Sequence, residues 1–138
     1  MVRRRAMREV LGGTKVLGVL GWPVAHSFSP PMQNAALAAL GLDWIYVPLP
    51  VAPADLPAAL AGLRALGFVG ANATIPHKEA LVELVDLPTE EALLSGTVNT
   101  LHFTPAGVVG DSTDGRGLLA ALRADGCEPT GRRVVLLG

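Results

Sequence analysis

The stretch KVLGVLGWPVAHSFSPPMQNAALAALGLDWIYVPL, Lys15–Leu49, decides how this chain folds. Lys15–Leu20 is a short β-rich run that stops at Gly21. A loop, GWPVAHSFS, comes next. A helix then begins at Ser29, a good N-cap, with Pro30 in the tolerant first turn and Gly41 just past its end. Trp44–Leu49 is β-rich again. Strands alternating with helices predict an α/β domain with a largely parallel sheet.

Outward from that unit the alternation continues. Leu56–Leu66 is an Ala/Leu-rich helix closed by Gly67, with Asp55 as its N-cap and Pro57 in the first turn. Phe68–Thr74 is a third strand, stopped by Pro76. Two shorter helices are expected over Lys78–Val85 and Thr89–Leu94. Thr97–Phe103 and Val108–Asp111 read as a hairpin around Pro105-Ala106-Gly107, and Gly115–Ala124 as a helix. Arg132–Leu137 is an apolar run behind two arginines, the pattern of a strand buried on both faces. The expected architecture is a three-layer α/β sandwich with a mainly parallel mixed sheet, the hairpin supplying the antiparallel pair. Residues 1–13 are a basic, loosely ordered extension, and the turn-rich stretch Asp125–Arg132 marks a boundary.

Composition narrows the function classes. The chain has 138 residues, enough for one domain with a real core. Half are hydrophobic and only 17% charged. That fits either a domain that hides surface against something else or a plain Ala/Leu/Val bias. A net charge of −1 points away from an electrostatic nucleic-acid binder. No run reaches the roughly 18 apolar residues of a membrane span. The lone Cys127 excludes an intrachain disulfide and fits a reducing, cytoplasmic setting. His26, His77 and His102 are too widely spaced to form a metal site, so no metal is expected.

In open α/β sheets, ligands bind beyond the carboxyl ends of the strands. Four segments deliver small polar groups there: His26–Ser29 after the first strand; Asn72, Thr74, His77 and Lys78 around the end of the third; Ser95-Gly96, Asn99 and Thr100 at the start of the hairpin; and Asp111–Asp114 after it. Such groups suit a small, polyhydroxylated anionic ligand. Hydroxyls and amides bond to hydroxyls, and a lysine or a helix N-terminus favours a carboxylate. Each group also has a plainer reading. Ser29 can merely cap a helix, Ser27 can merely stabilise its loop, Asp114 can cap the helix that follows, and Lys78 can be a surface lysine. Asn99 is harder to dismiss, because Asn is depleted in strands.

The spelling of these segments resembles the shikimate dehydrogenase family. GWPVAHSFSPPMQNAAL is similar to its G-x-P-x-x-H-S-x-S-P loop and helix. GANATIPHKEA is similar to its N-x-T-x-P-x-K segment, SGTVNTL to its G-A-x-N-T stretch, and GDSTDGRGLL to its G-x-N-T-D-G-x-G segment. Four motifs in register over Lys15–Gly138 make a specific signal. Two positions depart from the pattern: Ser112 stands where the family usually has Asn, and Thr97 where it usually has Ala.

The resemblance implies reversible, NADPH-dependent reduction of 3-dehydroshikimate to shikimate, in aromatic amino acid biosynthesis. Residues 14–124 would form the shikimate-binding catalytic domain. Residues 125–138 would be a linker and the first strand of an NADP-binding Rossmann domain, whose glycine-rich turn would follow Gly138. The chain alone would then bind shikimate weakly and turn nothing over. Ser27 and Ser29 would hold the substrate carboxylate, and Thr74, Asn99, Lys78 and Asp114 the ring hydroxyls and reacting oxygen. Lys78 would be the acid/base, in a dyad with Asp114, and Glu90 would lie at the cofactor's edge. A quinate/shikimate enzyme and an inactive substrate-binding fragment are the alternatives. The implied partner is the small-molecule substrate, with neither nucleic acid nor membrane, and a homodimer is left open.

Overall fold

The computed structural model describes residues 9–135 and 137. In chain order its elements are β1 (Lys15–Gly21), α1 (Ser29–Ala39), β2 (Trp44–Pro50), α2 (Leu56–Ala65), β3 (Gly70–Ala73), β4 (Leu87–Pro88), α3 (Glu90–Ser95), β5 (Thr100–Thr104), β6 (Gly107–Asp111) and α4 (Asp114–Ala124), with 3₁₀ turns at Pro53–Asp55 and Ala80–Glu83. The six strands form one sheet in the order β2-β1-β3-β5-β6-β4. The β1–β2, β1–β3 and β4–β6 pairs are parallel; β3–β5 and β5–β6 are antiparallel. The carboxyl ends of β1, β3 and β6 therefore share one edge of the sheet with the amino end of β5.

Helices cover the sheet on two sides. Leu20, Ala71, Ala73, Leu101 and Val108 pack against α2 through Leu56, Leu60 and Leu63, with Leu81 and Ala92 joining them. On the other side Val19 and Tyr46 pack with Leu37 of α1 and Val24. Asn34 fixes α1 to β2: its amide donates to the Pro30 and Tyr46 carbonyls at 2.8 and 2.7 Å and accepts from the Tyr46 N–H at 2.9 Å. Helix α4 buries none of its residues; Leu118 and Leu119 are exposed, as are Leu93 and Leu94 of α3.

Several expectations shift. Helix α1 starts at Ser29, so Phe28, not Ser29, occupies the cap position. The helix expected over Lys78–Val85 is only the 3₁₀ turn Ala80–Glu83. The Lys78 carbonyl accepts from the Val98 N–H at 2.8 Å, so this tertiary bond takes a group that a helix would have used internally. The two-residue strand β4 has no pattern of its own and exists by pairing with β6. Strand β5 begins at Thr100, which leaves Asn99 just before it rather than inside it.

Residues 9–13 are exposed and carry neither helix nor strand; the rest of the expected extension lies outside the described residues. Arg132–Val135 and Leu137 belong to no strand and are exposed. Nothing among the described residues pairs with this run, and a strand forms only where a neighbour takes its N–H and C=O groups. Leu136 and Gly138, which fall in the same expectation, lie outside the described residues. Cys127 is a free, exposed thiol.

Candidate active site

Parallel β1 and β3 are neighbours, so the segments that follow them meet at one edge. The Trp22 N–H donates to the Ile75 carbonyl at 3.1 Å, and the Thr74 N–H to Leu20 at 2.9 Å. Thr74 packs close on Gly21, where a Cβ would lie 2.7 Å from its methyl group. Ser27 and Ser29 are half-buried in the loop and first turn after β1, and Thr74 is half-buried after β3. The Ser27 hydroxyl accepts the Ser29 N–H at 3.2 Å. Ser29 therefore does not cap α1, and Ser27 holds the turn that leads into it, while the Ser29 hydroxyl makes no hydrogen bond among the described residues.

Around the amino end of β5 the geometry tightens. The Lys78 ammonium donates to Asp114 Oδ2 at 2.6 Å. Asn99, 8% exposed, donates from Nδ2 to Asp114 Oδ1 at 2.8 Å and to Thr113 Oγ1 at 2.9 Å. Its Oδ1 accepts from the Thr113 N–H at 3.1 Å and the Thr100 hydroxyl at 2.9 Å. Lys78 arrives from the turn after β3, Asn99 from the start of β5, and Asp114 from the first turn of α4. The Lys78 hydrogen bond, followed by that of Asn99, holds the Asp114 carboxyl below the usual carboxylate range against the opposing pull of burial. Asp114 is therefore ionised at neutral pH, with Lys78 Nζ in contact with one of its oxygens.

Glu90 stands apart. It is exposed in the first turn of α3 and makes none of the bonds that join Lys78, Asn99 and Asp114. Its neighbour Glu91 pairs with Arg116 at 3.5 Å. Arg116 also binds Asp111, which accepts the Thr89 hydroxyl at 2.7 Å. The Thr89 bond, ahead of Arg116, lowers the Asp111 carboxyl. His77, named among the rim groups, is instead buried: its Nε2 is 2.9 Å from the Val51 carbonyl, so it pins the lysine turn to the chain leaving β2. Sequence reasoning gave no role to Tyr46, which lies in an apolar strand pattern; its hydroxyl reaches Asn72 at 2.8 Å.

The two departures from the family spelling touch each other. Thr97 Oγ1 and Ser112 Oγ are 3.0 Å apart, and Ser95 Oγ lies 3.0 Å from Thr97 Oγ1. A larger residue at 97 faces a smaller one at 112, so each change accommodates the other.

A hollow of about 590 Å³ lies elsewhere, lined by Leu60, Ala61, Leu84 and the Arg64–Asp86 pair at 3.6 Å. Its lining is mostly apolar and it gathers none of the rim groups. Among the described residues no three His, Cys, Asp or Glu side chains gather as a metal ion would require. No helix among them is long and apolar enough to cross a membrane.

A mixed α/β sheet with a Lys–Asp–Asn cluster at its carboxyl rim is an arrangement suited to holding a small polar molecule. The family model described as the shikimate dehydrogenase substrate binding domain matches residues 19–101. The chain belongs to that family. The NADP(+) shikimate dehydrogenase of Geobacter metallireducens is 56% identical over 131 residues, covering 94% of this chain and 46% of that protein. A crystal structure of shikimate 5-dehydrogenase from Listeria monocytogenes, in complex with shikimate and NAD, superposes with a TM-score of 0.85 at 34% identity, over 91% of this chain and 43% of that one. The ligand-free 5-ketofructose reductase of a Gluconobacter species superposes with a TM-score of 0.83, also at 34% identity, over 91% and 45%. The chain spans about half the length of the curated relatives it matches.

Proposed function

We propose that this chain is the substrate-binding and catalytic part of an NADP-dependent shikimate dehydrogenase, which reversibly reduces 3-dehydroshikimate to shikimate in aromatic amino acid biosynthesis. The observation that carries this is the Lys78–Asp114–Asn99 cluster at the carboxyl edge of the sheet, with Thr74 and the Ser27–Ser29 loop on the same edge. In this reading Ser29 and Ser27 face the substrate carboxylate, with the start of α1 behind them supplying a favourable dipole. Thr74, Asn99, Lys78 and Asp114 meet the ring hydroxyls and the reacting oxygen. Residues 14–124 are the catalytic domain and residues 125–138 lead into the cofactor half.

NADPH, when bound, supplies the hydride that goes to the carbonyl carbon. Glu90, in the first turn of α3, would meet the edge of the cofactor. The chain has no G-x-G-x-x-G turn whose backbone amides would hold a diphosphate. What this chain does itself is bind, orient and protonate. Hydride addition leaves an alkoxide at the former carbonyl oxygen. Lys78 Nζ gives that oxygen a proton, or takes it back in the oxidative direction, while ionised Asp114 orients the amine. A placed acid of this kind contributes roughly 10²–10⁴ in rate. The reading places the protein in the cytoplasm, with the small-molecule substrate as its partner and neither nucleic acid nor membrane, and admits a homodimer.

The resemblance to a 5-ketofructose reductase makes substrate range the natural test. The expected result, for the full-length gene product, is NADPH oxidation with 3-dehydroshikimate and little or none with 5-ketofructose or, in reverse, with quinate. Quinate carries an extra hydroxyl on the carbon that bears the carboxylate, and the Ser27-Phe28-Ser29 spelling is the one that favours shikimate over it. Turnover of 5-ketofructose but not of 3-dehydroshikimate would overturn the proposal.

A further inference from the structure

Tyr46 lies on the covered side of β2, away from the lysine, yet a continuous set of hydrogen bonds joins the two. The ring is 4% exposed and packs with Val19, Val24 and Leu37. A buried phenol needs a partner for its hydroxyl. Here the O–H donates to Asn72 Oδ1 at 2.8 Å. Burial pushes the phenol up to about 12, so it stays protonated through neutral pH.

The groups that can only donate or only accept set the direction of each bond. The Asn99 carbonyl can only accept, so it takes the nitrogen end of the Asn72 amide and leaves the oxygen end to the Tyr46 hydroxyl. Asn72 Nδ2 then donates to Thr100 Oγ1 at 3.2 Å and to the Asn99 carbonyl at 3.2 Å. Asn72 and Thr100 are directly opposed on β3 and β5, so they share a face of the sheet. A threonine hydroxyl that accepts from Asn72 has its own proton free. That proton goes to Asn99 Oδ1 at 2.9 Å. The Thr113 N–H can only donate and the Asp114 carboxylate only accept, so Asn99 presents Oδ1 to the first and Nδ2 to the second. The reverse orientation would set an amide oxygen against a carboxylate oxygen, with no proton between them. The Thr113 N–H secures Asn99 Oδ1 from the α4 side; Thr100 secures it from the sheet side.

We propose that Tyr46 and Thr100 are positioning residues: acting through Asn72, they buttress the Asn99 amide from the sheet side, and so hold the Asp114 carboxylate in place against Lys78. The proposal rests on the reading of Lys78, Asp114 and Asn99 as the substrate-binding cluster. It differs from a purely structural role for Tyr46, which would require only that the ring fill its place.

The test measures hydrogen exchange of the Asn99 side-chain amide in the ligand-free chain, by NMR, for Tyr46→Phe, Thr100→Val and Thr100→Ser. Each of the first two removes one hydroxyl and keeps the shape of the side chain. Each should speed exchange about fivefold, the equivalent of one net hydrogen bond of ~1 kcal/mol. Thr100→Ser retains the hydroxyl and should keep the wild-type rate. Thr100→Val, at a half-buried position in another strand, tests the relay even if Tyr46→Phe fails to fold. Exchange within about twofold of wild type in Thr100→Val, below the low end of a net hydrogen bond, would overturn the relay. So would equal acceleration in Thr100→Ser. Shikimate affinity is read in parallel: it should weaken in Tyr46→Phe and Thr100→Val and hold in Thr100→Ser. Faster amide exchange upholds the relay even if the wild-type chain takes up no shikimate, an outcome that would sink the substrate reading alone.

Discussion

Lys78→Ala in the full-length enzyme should lower kcat by about 10²-fold or more and change KM only modestly. A general acid acts in the transition state, so its loss appears chiefly in kcat. The fold should tolerate the change. The Lys78–Asp114 pair is open to solvent, with side chains 29% and 57% exposed, and pairs of that kind contribute little stability. Asp114 would also keep its bond from Asn99. Steady-state kinetics together with a melting curve decide the matter. A variant with kcat within about tenfold of wild type would reduce Lys78 to a surface charge, since a placed acid is worth at least ~10². A large fall in melting temperature would instead assign the lysine a structural role.

The second large effect is expected at Ser29. Ser29→Ala should raise KM for shikimate roughly 10- to 150-fold, the equivalent of a charge-assisted hydrogen bond of ~1.5–3 kcal/mol. It should leave the melting temperature unchanged, because the Ser29 hydroxyl supports nothing else among the described residues. Ser27→Ala makes the comparison. Ser27 also accepts the Ser29 N–H, so its loss should both raise KM and destabilise the start of α1 by about 0.5–1.5 kcal/mol. An unchanged KM in Ser29→Ala would remove the carboxylate assignment from this loop.

The parts of the fold that could be read in the sequence are those set by local chemistry. Pro30 and Gly41 bracket α1, and Pro57 and Gly67 bracket α2, because backbone geometry at those residues is decided within a few positions. Gly41 and Gly67 do take the left-handed conformation that closes a helix. What failed to show was set by distant partners. Nothing near Lys78 announces that its carbonyl will bind Val98, which leaves a 3₁₀ turn where a helix was expected. Leu87–Pro88 becomes a strand only because β6 is beside it.

The candidate site divides the same way. Strand ends and residue types pointed to one polar edge, and the family resemblance singled out Ser27, Ser29, Thr74, Lys78, Asn99 and Asp114 within it. Their bonds were not visible. Ser27 rather than Ser29 holds the turn, and His77 belongs to the interior. Tyr46 was hidden inside an apolar strand, where one hydroxyl does not disturb the pattern. Thr97 and Ser112 stood out one at a time in the spelling, and only the fold shows that they meet.

Titration of the isotope-labelled chain with shikimate, followed residue by residue in NMR spectra, tests the central claim most directly. The account predicts saturable shifts concentrated at Ser27–Ser29, Thr74–Lys78, Asn99–Thr100 and Thr113–Asp114, weakened in Ser29→Ala. Absence of saturable shifts up to the solubility limit of shikimate, or shifts confined to the hollow around Leu60, Arg64 and Leu84, would contradict it.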